Sequence, residues 1–367
     1  MRNDHHQNAS ELRGMANTML PLILAMATTL AVCTLDCRYV RAEPVGSPQV
    51  ARSSHRVPLI FDTDIGDDID DVLALALLHA LENRGECRLL AVTISKDYDL
   101  SAPFTDAINT FYGRGGIPIG VVRNGKLRDE SRYAPPLLQV QDAGQIRYPR
   151  DIKSGRDCPE AVALLRKTLA AQPDRSVVMV MVGLSTNFAR LLDSPPDAIS
   201  PLRGGELVAA KCRLLSLMGG MFTAEGRKKS YNFHKDFAAA KKLIADWPTP
   251  LWASGNEIGD AITYPAESIR RDFEYVPHHP VKEAYEAWGK MPFERPCWDL
   301  TSVLIAVRPD HGYFGLSDPG TIRFDDAMVT HFTPAAAGRH RYLTLTPQQA
   351  VRVREACSQL VSQPPSP

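Results

Sequence analysis

Strand-length apolar runs alternate with segments of helical spacing along most of the chain. The runs lie near 57-VPLIFD-62, 88-RLLAVTIS-95, 117-IPIGVV-122, 176-SVVMVMVG-183, 213-RLLSLMGG-220 and 250-PLWASG-255. Helix-like segments fall between them, near 70–83, 103–113, 159–171, 186–193 and 235–246. Near-continuous Val, Ile and Leu in strands that alternate with helices predict a parallel sheet covered on both faces. The expected fold class is therefore α/β, a doubly wound, mostly parallel sheet with helices on both faces. Residues 123–157 show little periodicity and read as a long surface loop. The main domain is placed at 57–350, with 351–367 as the end of a C-terminal helix and a disordered tail.

The N-terminus follows a different pattern. Residues 18-TMLPLILAMATTLAVCTL-35 are uncharged and mostly apolar, the length of a long signal-peptide core or a minimal membrane span. Small residues at 40-VRA-42 offer a cleavage site. Residues 1–42 are read as a signal peptide, with an N-terminal membrane anchor or a true start at Met15 as alternatives, and 43–56 as a polar linker. The expected location is exported, periplasmic or extracellular.

Composition narrows the function classes. The 367 residues are 44% hydrophobic and 23% charged, enough for one large core. Lys plus Arg equals Asp plus Glu at 42 each, which removes any global electrostatic case for nucleic acid. Seven cysteines are scattered without a CxxC pair, which argues against a zinc site or a disulfide framework.

Charge is instead concentrated locally, in 61-FDTDIGDDIDDVLALALLHA-80. Six aspartates stand between Asp62 and Asp71, at the carboxyl end of the first strand and the start of the following helix. Ligands bind at that edge of a doubly wound sheet. Carboxylates that must stay ionised close together repel one another unless a cation compensates. Oxygen-only donors select a hard ion, calcium or magnesium. Helix capping by Asp68, Asp70 and Asp71 is the plain alternative; it accounts for one or two aspartates and leaves six unexplained. An EF-hand loop counted from Asp62 would need Glu at its twelfth position, where Leu73 stands. A phosphatase of the haloacid dehalogenase type would use the first Asp of FDTD as its nucleophile and leaves DDIDD without a role.

This stretch resembles the N-terminal DxDxGxDD of the inosine-uridine-preferring nucleoside hydrolases, which precedes a helix of small apolar residues. Downstream, 183-GLSTN-187 is similar to the family's G-P-L-T-N turn and 218-MGG-220 to its Met-Gly-Gly strand end. Likewise, 231-YNFHKDFAAA-240 is similar to F-N-x-x-x-D-P-x-A-A, and 298-WDLTSVL-304 to a late H-D segment. Each match is weak; their shared order over roughly residues 57–310 carries the resemblance. It implies calcium-dependent hydrolysis of the N-glycosidic bond of a ribonucleoside or a related N-ribosyl compound. It further implies one Ca²⁺ held by Asp64, Asp71, the backbone carbonyl of Thr186 and Asp299. Asp64 would also activate the attacking water and Asp70 would contact a ribose hydroxyl. Asn232, Trp298 and Tyr98 stand at substrate-contacting positions. The implied partner is a small nucleoside-like molecule, with a homodimer or tetramer left open and a membrane involved only if the N-terminal segment is retained.

The chain departs from the family pattern in four places. Asp67, Asp68 and Ile69 separate Gly66 from the Asp pair where one residue is usual, so Asp70–Asp71 is chosen as the pair because VLALALL follows it; Asp67–Asp68 is the other register. Trp298 replaces the His that typically meets the leaving base, Ser230 replaces a Glu, and Tyr98, with Lys96 and Asp97 beside it, stands near an expected Asn. Metal ligands persist while sugar and base contacts change. A calcium-stabilised binding protein without turnover is therefore the runner-up, and the phosphatase reading comes third. Among other polar residues, His278 and His279 are expected at the surface, His234 is a candidate pocket residue, 227-RKKS-230 reads as a solvated turn, and Trp247 and Trp252 are expected to pack around a strand start.

Overall fold

The computed structural model of the protein describes residues 56–223 and 228–366. The N-terminal signal or anchor segment and the linker up to residue 55 lie outside the described residues. Nine strands carry the architecture: β1 Val57–Thr63, β2 Cys87–Ile94, β3 Ile119–Val121, β4 Val177–Met181, β5 Cys212–Met218, β6 Leu251–Ser254, β7 Gly320–Phe324, β8 Thr330–Pro334 and β9 His340–Thr344. They form a ten-stranded sheet in the order β8-β7-β9-β6-β5-β4-β1-β2-β3, with a two-residue strand, Gly315–Leu316, paired on β9. From β9 to β3 every neighbouring pair is parallel; β7 and β8 add an antiparallel margin.

The packing explains the apolar runs. Along β1, Leu59 and Phe61 enter one core, whereas Ile60 between them enters the other. In β4, Val178 and Val180 face the first core while Val177, Met179 and Met181 face the second. Side chains alternate across a strand, so a strand buried on both faces reads as a near-continuous apolar run.

The principal helices are α1 Asp70–Asn83, α2 Ser101–Phe111, α3 Ala161–Ala170, α4 Thr186–Asp193, α5 Tyr231–Lys235, α6 Phe237–Asp246, α7 Pro280–Trp288, α8 Trp298–Val307 and α9 Pro347–Val361. Helix α1 is buried from Asp70 to Leu81. It packs against α8 and α9, which is why its sequence is apolar all round rather than striped. The boundary expected at residue 350 falls inside α9, whose Val353, Cys357, Leu360 and Val361 join the core.

Three expectations need correction. Residues 123–157 hold the short helix Ala134–Gln139, and Tyr133 within this segment is fully buried. His279 is not at the surface: it is enclosed by Phe111, Phe273 and Tyr275 and accepts from Val281 N at 3.2 Å, while His278 stays partly exposed. The antiparallel margin β7–β9 was not anticipated, because its short strands mix polar and apolar residues. Trp247 is fully buried, donating from Nε1 to Thr249 Oγ1 at 2.9 Å just before β6. Among the described residues the five cysteines are buried free thiols, and no helix is long and apolar enough to cross a membrane.

Candidate active site

The loop between β1 and α1 carries the aspartates, and several long-range contacts set its course. Gly66 has φ of +108°, a region that side-chain-bearing residues rarely adopt. A Cβ there would lie 2.7 Å from Ser101 Oγ, which itself donates to Ile65 O at 2.7 Å. Tyr133 accepts from Gly66 N and donates to Asp68 O at 2.9 Å, pinning both ends of the extra residues.

The carboxylates divide into three groups. Asp62 is fully buried and points away from solvent; it accepts from Thr93 Oγ1 at 2.6 Å and Asn187 Nδ2 at 2.8 Å, tying β1 to β2 and α4. Burial pushes its carboxyl up to about 7, against the two donors that pull it down. A nucleophilic role for Asp62, which the phosphatase reading requires, is incompatible with that enclosure.

The second group consists of Asp67 and Asp68, the inserted pair. Lys96, only 1% exposed, donates to Asp67 Oδ1 at 3.2 Å, and Tyr231 donates to Asp67 Oδ2 at 3.0 Å. Arg295 grips Asp68 with Nε at 2.9 Å and a second contact through its terminal nitrogen. The pair is thus neutralised by two cations from distant segments. Helix capping does not account for it, since the N-cap Ile69 has no side-chain cap and the backbone N–H that Asp68 accepts, at 2.6 Å, is that of the adjacent Ile69 rather than one of the helix's first turn.

The third group faces a cleft of about 690 Å³. Oxygens of Asp70, Asp71 and Asp299 lie within 4.8 Å of one another, the one such cluster of metal-ligating side chains among the described residues. Asp70 and Asp71 open α1 and Asp299 opens α8, so two helix N-termini converge and their partial positive charge favours carboxylates. Asp299 N donates to Asp70 Oδ2 at 3.2 Å, and Thr63 Oγ1 donates to Asp71 Oδ1. Asp71 Oδ2 is buried and has no hydrogen-bond partner. Burial first holds all three carboxyls well above the ordinary range, and neighbouring carboxylates add to it: Asp68 acts on Asp70, Asp64 and Asp70 on Asp71, and Asp70 and Asp71 on Asp299. Buried carboxylates with raised proton affinity and one unpartnered oxygen fit a hard divalent cation, because its charge removes the penalty that their ionisation otherwise carries.

Asp64 lines the same cleft at 4% exposure but stands outside the three-carboxylate cluster. Burial raises its carboxyl to about 8, Asp67 and Asp68 adding to the rise and Lys96 opposing it. Trp298 lines the cleft with its indole fixed by donation from Nε1 to Asp260 Oδ1 at 3.0 Å and Asn256 O at 3.2 Å. Arg295 lies 4.7 Å from the Trp298 ring centre and 4.5 Å from that of Trp288, so one guanidinium is held between two indoles. Asn232 also lines the cleft, and its amide donates to the backbone oxygens of Val182 and Met218.

Tyr98 and the side chain of Thr186 lie elsewhere. Tyr98 is not among the cleft residues; it packs on the core, and the side chain reaching the acidic loop from this segment is Lys96. Thr186 begins α4, is buried, and donates from Oγ1 to Asp236 Oδ2 at 2.6 Å, outside the cleft lining. Sequence reasoning also missed Tyr133, Trp288, Arg295 and Asn256. Only Lys96 gave a local signal, as a charge directly after an apolar strand.

The sequence model of the family described as inosine-uridine preferring nucleoside hydrolase matches residues 59–337. No curated protein sequence shows a significant match. Among solved structures, the inosine-uridine preferring nucleoside hydrolase from Bacillus anthracis matches with a TM-score of 0.61 and 16% identity, over 83% of this chain and 99% of that one. The purine-preferring ribonucleoside hydrolase from Gardnerella vaginalis gives 0.60 and 16%, over 83% and 99%. A type III effector protein, XopQ, solved with adenosine diphosphate ribose, gives 0.54 and 16%, over 84% and 94%. At these identities the structural likeness is one of fold.

Proposed function

The chain belongs to the inosine-uridine preferring nucleoside hydrolase family, and from that premise we propose that it hydrolyses the N-glycosidic bond of a ribonucleoside or a related N-ribosyl compound in a calcium-dependent reaction. The observation that carries this reading is the convergence of Asp70, Asp71 and Asp299, with one Asp71 oxygen buried and unpartnered. Asp71, Asp299, Asp64 and the Thr186 carbonyl would hold the ion. When bound, calcium would orient ribose hydroxyls and make a neighbouring water more acidic.

The remaining steps belong to the chain. Asp64 takes the proton of the attacking water; its burial beside Asp67 and Asp68 raises its affinity for that proton, as a base working near neutral pH requires. Asp70 accepts from a ribose hydroxyl. The surrounding carboxylates stabilise the positive charge that develops on the sugar as the bond breaks. Trp298 donates only through Nε1–H, already committed to Asp260 and Asn256, so it offers the base a fixed stacking surface rather than a proton. We propose an exported location on the apolar segment 18–35, and a small-molecule substrate as the partner.

The test is release of reducing sugar from a nucleoside panel by the full chain with calcium. Turnover should disappear with chelator and in Asp64→Ala. Calcium binding without cleavage of any nucleoside would overturn the substrate assignment. Trp298 and Ser230, in place of the family's His and Glu, favour as second reading a binding protein without turnover, which ligand-induced thermal stabilisation without product would reveal.

A further inference from the structure

We propose that the ribose recognised in this cleft carries a phosphate ester on C5, held by Lys228, Lys229, Ser230 and His234. This inference rests on the hydrolase reading for the orientation of the sugar. With the ring hydroxyls directed at the Asp70, Asp71 and Asp299 cluster and C1 directed at Asp64, the remaining exocyclic carbon is C5.

Three observations point to an anion there. Lys228 and Lys229 line the cleft, are exposed, and form no ion pair with any described residue. The cleft's other strong cations are engaged: Arg295 on Asp68, and Arg132 over the Trp288 ring at 5.5 Å. Asp129 and Glu130, which share the cleft, do not pair with the two lysines.

Ser230 supplies the second observation. It is 3% exposed, lines the cleft, and its hydroxyl has no hydrogen-bond partner. A serine at a helix N-cap ordinarily accepts a backbone N–H, yet Ser230 makes no such bond at the start of α5. Buried hydroxyls without partners are rare, and this one is free to donate to a ligand oxygen.

The third is the sign of the substitution. Ser230 stands where the resemblance places a Glu, so that negative charge is absent from the wall that presents Lys228 and Lys229, with His234 one helical turn further on. A phosphate ester carries about −1.5 to −2 charge at pH 7 and three acceptor oxygens, matching this set of donors.

The experiment is calorimetric binding of ribose 5-phosphate and of ribose to the full chain with calcium. Ribose 5-phosphate should bind at least about tenfold more tightly, and the preference should shrink at high ionic strength. The double variant Lys228→Ala/Lys229→Ala should abolish the preference, and Lys228→Arg/Lys229→Arg should keep it. Equal affinity for the two sugars, or a preference that survives the double alanine variant, overturns the proposal. Turnover of nucleosides is measured separately, so the two readings fail independently.

Discussion

Asp62 and Asp71 sit nine positions apart in one acidic stretch and have opposite surroundings. Thr93 and Asn187 hold one oxygen of Asp62 inside the sheet, whereas Asp71 joins the Asp70 and Asp299 carboxylates facing the cleft. Asp71→Asn is expected to lower turnover by at least about 10³-fold and to remove the calcium-induced rise in Tm, because it deletes a charge that the cation would offset. Asp62→Asn should instead keep most turnover while costing about 1–2 kcal/mol of stability, from the imperfect match of an amide to two buried donors. Measured side by side, kinetics and thermal melts separate the two roles; an inactive yet fully stable Asp62→Asn would revive a nucleophilic Asp62. Which aspartate does which was not legible in the sequence, since all six share the same local composition.

At the scale of the element, the loop from Thr63 to Asp70 is longer than its family pattern and is held by residues from three other segments. Lys96 and Ser101 reach it from the segment after β2, Tyr133 from the stretch beyond β3, and Arg295 from just before α8. Gly66 makes the course possible, so Gly66→Ala should destabilise the protein by about 2 kcal/mol, combining a forbidden φ with the contact against Ser101. A Tm drop of several degrees would be the readout; an unchanged melt would show that the loop can take another path. Strand and helix positions of the parallel part were readable from periodicity, and α1 and α4 fall where their patterns place them. The antiparallel margin and the buried His279 were not, because short strands and a ring enclosed by distant aromatics leave no periodic trace.

Across the whole molecule, the buried carboxylates couple stability to pH and, on the proposed function, to calcium. Burial raises Asp62 to about 7 and Asp64 to about 8 from 3.8, and lifts Asp70, Asp71 and Asp299 as well. In this range the folded chain binds protons that the unfolded chain has released. Their contribution to stability is therefore complete below about pH 4 and is lost as pH rises through 7 to 8. The metal-free protein should melt at lower temperature at pH 8.5 than at pH 5.5, and calcium should raise Tm more at the higher pH, where it competes with fewer protons. Melting curves at both pH values with and without calcium check this, and a calcium shift equal at both would refute it. By itself, the sequence determined the layered α/β plan and the location of the acidic edge, because strand burial, helix spacing and the strand-to-helix junction are local properties of the chain. Only the tertiary structure decided which carboxylates remain free for a cation and which are already neutralised. Asp299 meets Asp70 across 229 positions and Arg295 meets Asp68 across 227; no local pattern encodes a pairing set by how the sheet brings distant loops to one edge.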